Sequence, residues 1–181
     1  YRGTFSEDMF EEAEELEHPY HRTKHDSEAM VRANGRIPFR VYRPGAVLGH
    51  SQTGFIDKID GPYYFFKALQ KLRESWPRSI PLVGIEGGYI NVVPVDFVVD
   101  ALVHLSHQPK LDGRCFHLTD PKARRVGEVL NVFARAAHAP EMAFRLDPEV
   151  FAMVPEPVTQ SVQRSKPIQN VFNQLLRDLQ V

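Results

Sequence analysis

The chain has 181 residues, 43% of them hydrophobic and 25% charged, the balance of a folded globular protein and not of a disordered one. No apolar run approaches the ~20 residues that span a bilayer, and the opening YRGTFSEDMF lacks the basic and apolar regions of a secretory signal. With Cys115 its only cysteine and a net charge of −1, it has no internal disulfide framework, and a cytoplasmic protein is expected.

The chain begins with an acidic run, Glu7, Asp8, Glu11, Glu12, Glu14, Glu15 and Glu17 against Arg2, which reads as a solvated face. The modest positive remainder is too small, and too poorly interleaved with aromatics, for a nucleic acid partner. His18 to about Asn34 reads as a helix, stopped by Gly35 and Pro38 in NGRIP. FRVYR (39–43) is β-rich and breaks at Pro44-Gly45. A long loop is expected to Asp60, then a helix from about Pro62 to Trp76, with Pro62 suited to the first turn. PLVGIEGGYINVV (81–93) reads as two short strands around Gly87-Gly88. PVDFVVDALVHLSHQP (94–109) reads as a helix with Val95, Val98, Val99, Leu102, Val103 and Leu105 mostly on one side. RCFHLTD (114–120) is a predicted strand, VGEVLNVFARAAH (126–138) a helix and MAFRLD (142–147) a further strand. The last 30 residues suggest two more helices divided near Lys166-Pro167.

Strand and helix in alternation predict an α/β fold with a mainly parallel sheet. Only 39–43 and 114–119 read as central strands, and such a sheet needs more neighbours. The rest of it is expected upstream of Tyr1, in a longer polypeptide of which this is a piece.

Two tyrosine-lysine pairs stand at i and i+4, Tyr20-Lys24 in PYHRTK and Tyr63-Lys67 in YYFFK. On a helix such a pair shares one face, one turn apart. A phenol is a poor acid–base at neutral pH, and a neighbouring ammonium favours its phenolate, which equips such a pair for proton transfer to a carbonyl oxygen. Taken alone, Tyr20-Lys24 reads more plainly as two surface residues, and the RPG strand end downstream of the helix shifts the balance. The strand before Pro44-Gly45 ends where ligands of open α/β sheets sit, and Gly45 lets a flat ring approach the backbone. Asp96 reads as a cap or dipole partner at a helix start. His18, His21 and His25 fall near metal-ligand spacing, but no cysteine and no HExxH motif accompanies them, so no metal is expected. Lys122, Arg124 and Arg125 read as a solvated turn or a contact for CoA phosphates, and Cys115 as an inert buried thiol.

The Tyr20-Lys24 pair, the RPG strand end, VPVDFVVDALVHL and the CFHLTD strand, in this order, resemble the C-terminal half of an extended short-chain dehydrogenase/reductase over residues 1–140. DMFEEAEELEHPYHRTKHDSE, RPGAVLGHSQTG, DGPYYFFKALQK and GIEGGYINVVPVDFVVDAL look more narrowly like bacterial alcohol-forming fatty acyl-CoA reductases, a likeness that continues into the tail. The resemblance implies the C-terminal half of a Rossmann-type doubly wound parallel sheet plus a small mixed α/β substrate-binding region. Residues 1–50 would end the cofactor-binding domain, and 51–181 would form the substrate region interleaved with the last Rossmann strand near 114–119.

It further implies Tyr20 as the acid–base residue, Lys24 as its partner and ribose ligand, and backbone groups of Pro44, Gly45 and Val47 beside the nicotinamide. Tyr63, Tyr64, Phe65 and Phe66 fall on the substrate side, as core or as a wall for an acyl chain. The cofactor implied is NADPH, with NADH open, and the substrate an acyl-CoA or fatty aldehyde reduced toward the alcohol. A second reductase domain is expected downstream. The glycine-rich GxxGxxG loop and the catalytic serine or threonine of the family have no match here, so this piece alone is expected to be inactive. A nucleotide-sugar epimerase or hydroxysteroid dehydrogenase, or a catalytically silent binding module, remains the alternative. The aromatic GPYYFF stretch disfavours a sugar, and the intact Tyr20-Lys24 pair disfavours a silent module.

Overall fold

The computed structural model describes residues 3–13, 16, 18–58, 63, 65–75, 82–85 and 88–146. The two helices expected in the tail lie outside the described residues. In chain order the elements are α1 (Pro19–Ala33), β1 (Val41–Pro44), β2 (Ala46–Leu48), α2 (Phe65–Ser75), β3 (Leu82–Ile85), β4 (Tyr89–Ile90), β5 (Val92–Pro94), α3 (Val95–His107), β6 (Cys115–Leu118), β7 (Arg124–Arg125), α4 (Val126–Ala136) and β8 (Met142–Leu146). β1 pairs with β6, β2 with β5 and β3 with β8, all parallel, while β4 and β7 run antiparallel. The mixed α/β fold with parallel pairing is as the alternating pattern predicts.

The chain divides into two compact units. One holds α1, β1, β2, β5, α3 and β6; the other holds α2, β3, β4, β7, α4 and β8.

In the first unit, β1 and β2 are separated by Gly45 alone. The Gly45 N–H donates to the Leu118 carbonyl at 3.1 Å, extending the β1–β6 ladder by one rung. Beyond it the chain leaves β6 and pairs with β5, so one extended stretch changes neighbours at Gly45. β2 occupies part of the expected loop, because three residues are too short to show an alternating pattern. β5 runs directly into α3, with Pro94 ending the strand and capping the helix. Val93, Val98 and Leu118 are buried together, with Tyr42, Leu102, Leu105 and Phe116 packed against them. Full burial of such side chains stabilises by about 1.5–3 kcal/mol each.

The apolar face of α3 is narrower than its sequence suggests. Val98, Leu102 and Leu105 repeat at i, i+4 and i+7 over the sheet, whereas Val95, Val99 and Val103 repeat at i, i+4 and i+8 on the neighbouring face and are exposed.

The second unit is centred on α2 and α4. Phe65 and Leu69 meet Val126, Leu130, Ala134 and Ala139 in one buried cluster. The Asn131 side chain takes both backbone groups of Met142 at 2.9 Å, tying β8 to α4. No helix among the described residues is long and apolar enough to cross a membrane.

Candidate active site

The chain turns into α1 at His18, whose Nδ1 accepts the Tyr20 N–H at 3.2 Å, and Pro19 occupies the first turn, where its missing N–H costs nothing. Tyr20 therefore sits at the mouth of the helix, 58% exposed. One turn on, the Lys24 ammonium lies 5.6 Å from the centre of the Tyr20 ring, and the structure brings this predicted pair together. The same i+4 step continues to Glu28 and Arg32, so four residues of alternating character line one face of α1.

Glu28 anchors that face. Arg43, on β1, donates Nε–H to Glu28 Oε2 at 3.0 Å and Nη2–H to Oε1 at 2.6 Å, a two-pronged pair. Arg32 adds an Nε–H bond to Oε1 at 2.8 Å. Burial pushes the Glu28 carboxyl up, and the Arg43 and Arg32 guanidiniums more than reverse it, leaving it below the usual carboxylate range. The Arg43 guanidinium also donates to the Met9 carbonyl through both Nη atoms at 3.1 Å, and its Nη1 lies 3.2 Å from His117 Nε2 on β6. Burial, and then the neighbouring Arg43 charge, hold the His117 imidazole below its ordinary range, so it stays neutral and accepts from Arg43.

Among the residues expected at the nicotinamide, Pro44 and Val47 are exposed, and Gly45 stands between them where the strand changes neighbours. Past β2, Ser51 donates its N–H at 2.9 Å and its hydroxyl at 2.6 Å to the two oxygens of Asp96. The Ser51 bonds hold Asp96 below the usual carboxylate range. Asp96 stands in the first turn of α3, where a cap or dipole partner is expected, and through Ser51 it also pins the loop after β2.

The four aromatics of the second unit separate. Phe65 is buried in the core. Tyr63 and Phe66 form an edge-to-face pair 5.1 Å apart, and both meet Phe133 of α4, at 6.3 Å and 5.3 Å. Tyr64 lies outside the described residues. Phe133 carried no signal of its own, since at its helical spacing it reads as ordinary core. Arg125 stacks over Tyr89 at 5.1 Å from the ring centre, and Arg124 is exposed. Of the three histidines, His25 stacks on Phe10 at 4.2 Å, and no group that suits a metal ion occurs among the described residues. Cys115 is buried, and burial pushes its thiol up, which fits an inert side chain.

The family model described as male sterility protein, a model of NAD-binding domains, matches residues 2–102, which include α1, β1 and β2. Glycine betaine reductase ATRR of Emericella nidulans is 35% identical over 104 residues, covering 56% of this chain and 8% of that protein. Aldehyde reductase lnbA of Aspergillus flavus is 30% identical over 112 residues, covering 61% of this chain and 10% of that protein. Among solved structures, the terminal R domain from the myxalamid PKS-NRPS biosynthetic pathway aligns over 89% of this chain and 37% of its own, with a TM-score of 0.58 and 26% identity. The chain thus spans a tenth or less of the two relatives' length.

Proposed function

The chain belongs to the male sterility protein family, NAD-binding domains of the extended short-chain dehydrogenase/reductase type, and from that premise we propose that it forms the C-terminal part of an NADPH-dependent reductase of acyl thioesters. The observation that carries this reading is the exposed Tyr20-Lys24 pair at the mouth of α1. The same unit holds the strand end Pro44-Gly45, the place where open α/β sheets receive ligands. The residues present suit the nicotinamide end of the cofactor. The Lys24 ammonium offers donors to ribose hydroxyls, and Gly45 puts no side chain in the way of a flat ring at the backbone of Pro44, Gly45 and Val47. The bound cofactor supplies the hydride.

In this reading the Tyr20 hydroxyl gives its proton to the substrate oxygen as the carbon is reduced. Lys24 stabilises the phenolate left behind by its positive charge. The thioester carbonyl gains hydride and proton, and the carbon–sulfur bond then breaks to release thiol and aldehyde. A second hydride and proton convert the aldehyde to the alcohol. In the second unit, Tyr63 and Phe66 against Phe133 offer an aromatic surface suited to an acyl chain, and Phe65 belongs to the core.

The resemblance to fatty acyl-CoA reductases favours CoA as the thiol. The small share of the relatives that the chain covers, and the PKS-NRPS pathway of the similar R domain, favour a reductase within a large biosynthetic polypeptide. Assay of the intact reductase with a fatty acyl-CoA, the same acyl group on a pantetheine-bearing carrier domain, the free aldehyde and a UDP-sugar tests the reading through NADPH consumption. Turnover of either thioester supports it, and their ratio identifies the carrier; turnover of the UDP-sugar alone removes it.

A further inference from the structure

α1 carries Tyr20 and Lys24, yet none of its fifteen residues is fully buried. Within the unit a polar grip from β1 holds it. The grip is Arg43. Its five N–H donors meet five acceptor contacts: two on Glu28, two on the Met9 carbonyl and one on His117. These partners belong to α1, the segment before it and β6, while Arg43 itself directly precedes Pro44-Gly45. The planar face of the guanidinium is also covered, lying 5.3 Å from the Phe5 ring centre.

We propose that Arg43 is the positioning residue of this site, fixing the Tyr20-Lys24-Glu28 face of α1 against the strand end at Pro44-Gly45. The proposal rests on the reading of Tyr20 and Lys24 as the reacting pair. Glu28 is two turns of α1 beyond Tyr20, about 12 Å at 1.5 Å per residue, and the Arg43 N–H groups are directed to Glu28, Met9 and His117. Arg43 acts by setting where the helix lies. Only a guanidinium can do this here. A lysine in its place offers three donors on a point charge, without the fork that holds both Glu28 oxygens at once.

Arg40 supplies the comparison. It precedes β1 and is held by the carbonyls of Leu105 and Ser106, the latter at 2.8 Å, and by Asp112 at 3.2 Å. These partners lie at the end of α3 and in the turn before β6, none of them on α1.

The test uses the intact reductase with Arg43→Gln, Glu28→Gln, Arg43→Lys and Arg40→Gln. Turnover is counted per NADPH-binding site, so that unfolded protein drops out. Arg43→Gln and Glu28→Gln are each expected to lower kcat per site by about ten- to a hundredfold, the loss expected when reacting groups are misplaced by an ångström or less. Arg43→Lys should not restore it, and Arg40→Gln should leave kcat per site unchanged while lowering the melting temperature. In a Tyr20→Phe background Arg43→Gln should add less than about threefold, because residues that act as a unit are not additive.

Full kcat per site in folded Glu28→Gln, or a loss in Arg40→Gln as large as in Arg43→Gln, overturns the proposal. Hydrogen exchange of the α1 amides separates this proposal from the reading it rests on. Should Tyr20→Phe prove fully active, the reacting pair is misassigned. Faster exchange along α1 in Glu28→Gln and Arg43→Gln but not in Arg40→Gln still supports Arg43 as its anchor, and unchanged exchange removes that role too.

Discussion

Phe65 and Phe66 are neighbours in sequence with opposite surroundings, and truncating each to alanine separates core from substrate wall. Phe65 is 7% exposed and packs against Leu69 of its own helix and Val126, Leu130 and Ala134 of α4. Removing a buried phenylalanine ring costs about 3–5 kcal/mol through lost transfer energy and an unfilled cavity. Phe66 is 36% exposed and meets Tyr63 and Phe133 edge-on. Two such aromatic pairs contribute roughly 0.5–1.5 kcal/mol each beyond area, so Phe66→Ala should cost about 1–3 kcal/mol. The assay is urea unfolding of the intact protein, paired with kcat/KM across acyl chains lengthened two carbons at a time. Each added pair of CH₂ groups gains about 1.6 kcal/mol in an apolar pocket at ~0.8 kcal/mol per CH₂, roughly tenfold. Phe66→Ala should flatten that gain, whereas Phe65→Ala should lose stability and keep the gain in whatever remains folded. A Phe65→Ala variant destabilised by less than about 1 kcal/mol, with its chain-length profile altered, refutes the placement of Phe65 in the core.

Lys24→Met keeps the length of the side chain and removes its charge; NADPH affinity should fall about tenfold or more, as for loss of charged hydrogen bonds, and an unchanged dissociation constant returns Lys24 to the solvated surface. Asp96→Ala should speed hydrogen exchange at the Ser51 amide several-fold while α3 keeps its protection, since the carboxylate holds Ser51 by both N–H and hydroxyl. Acidification should weaken the first unit in two stages. His117, depressed by burial and Arg43, contributes stability above the ordinary histidine range that is lost as pH falls from about 6.5 toward its lower folded value. Glu28, depressed by Arg43 and Arg32 despite its burial, contributes stability that is lost below about 4.3. Melting temperatures from pH 7 to 2 should fall accordingly, and Glu28→Gln should flatten the lower stage; a steep lower stage in that variant points to another carboxylate.

The elements best read from the sequence are those whose ends carry local chemistry. α1 begins at His18-Pro19 and stops at Asn34-Gly35, and its i, i+4 spacing puts Tyr20 beside Lys24 without any tertiary information. β1 and β6 announce themselves by β-rich composition. β2 does not, because its three residues take strand geometry from pairing with β5, distant in sequence. The same limit hid the role of Arg43. Glu28 lies fifteen positions before it and His117 seventy-four after, and no local pattern joins them. Asp96 reads as a cap or dipole partner from its place at the start of α3, and only the folded loop brings Ser51 within reach. In YYFFK all four rings are equivalent by composition, and it is the packing of α4 that buries Phe65 and leaves Phe66 partly open.

The most direct test of the central claim is single-turnover reduction by Tyr20→Phe in the intact reductase, with NADPH bound and a thioester substrate in excess. This change removes the transferable proton and keeps the ring that Lys24 faces. NADPH should bind with wild-type affinity, and the rate of hydride transfer should fall by about 10²–10⁴-fold, the range for losing a positioned acid–base group. A variant that reduces the thioester at the wild-type rate contradicts the assignment of Tyr20 as the proton donor.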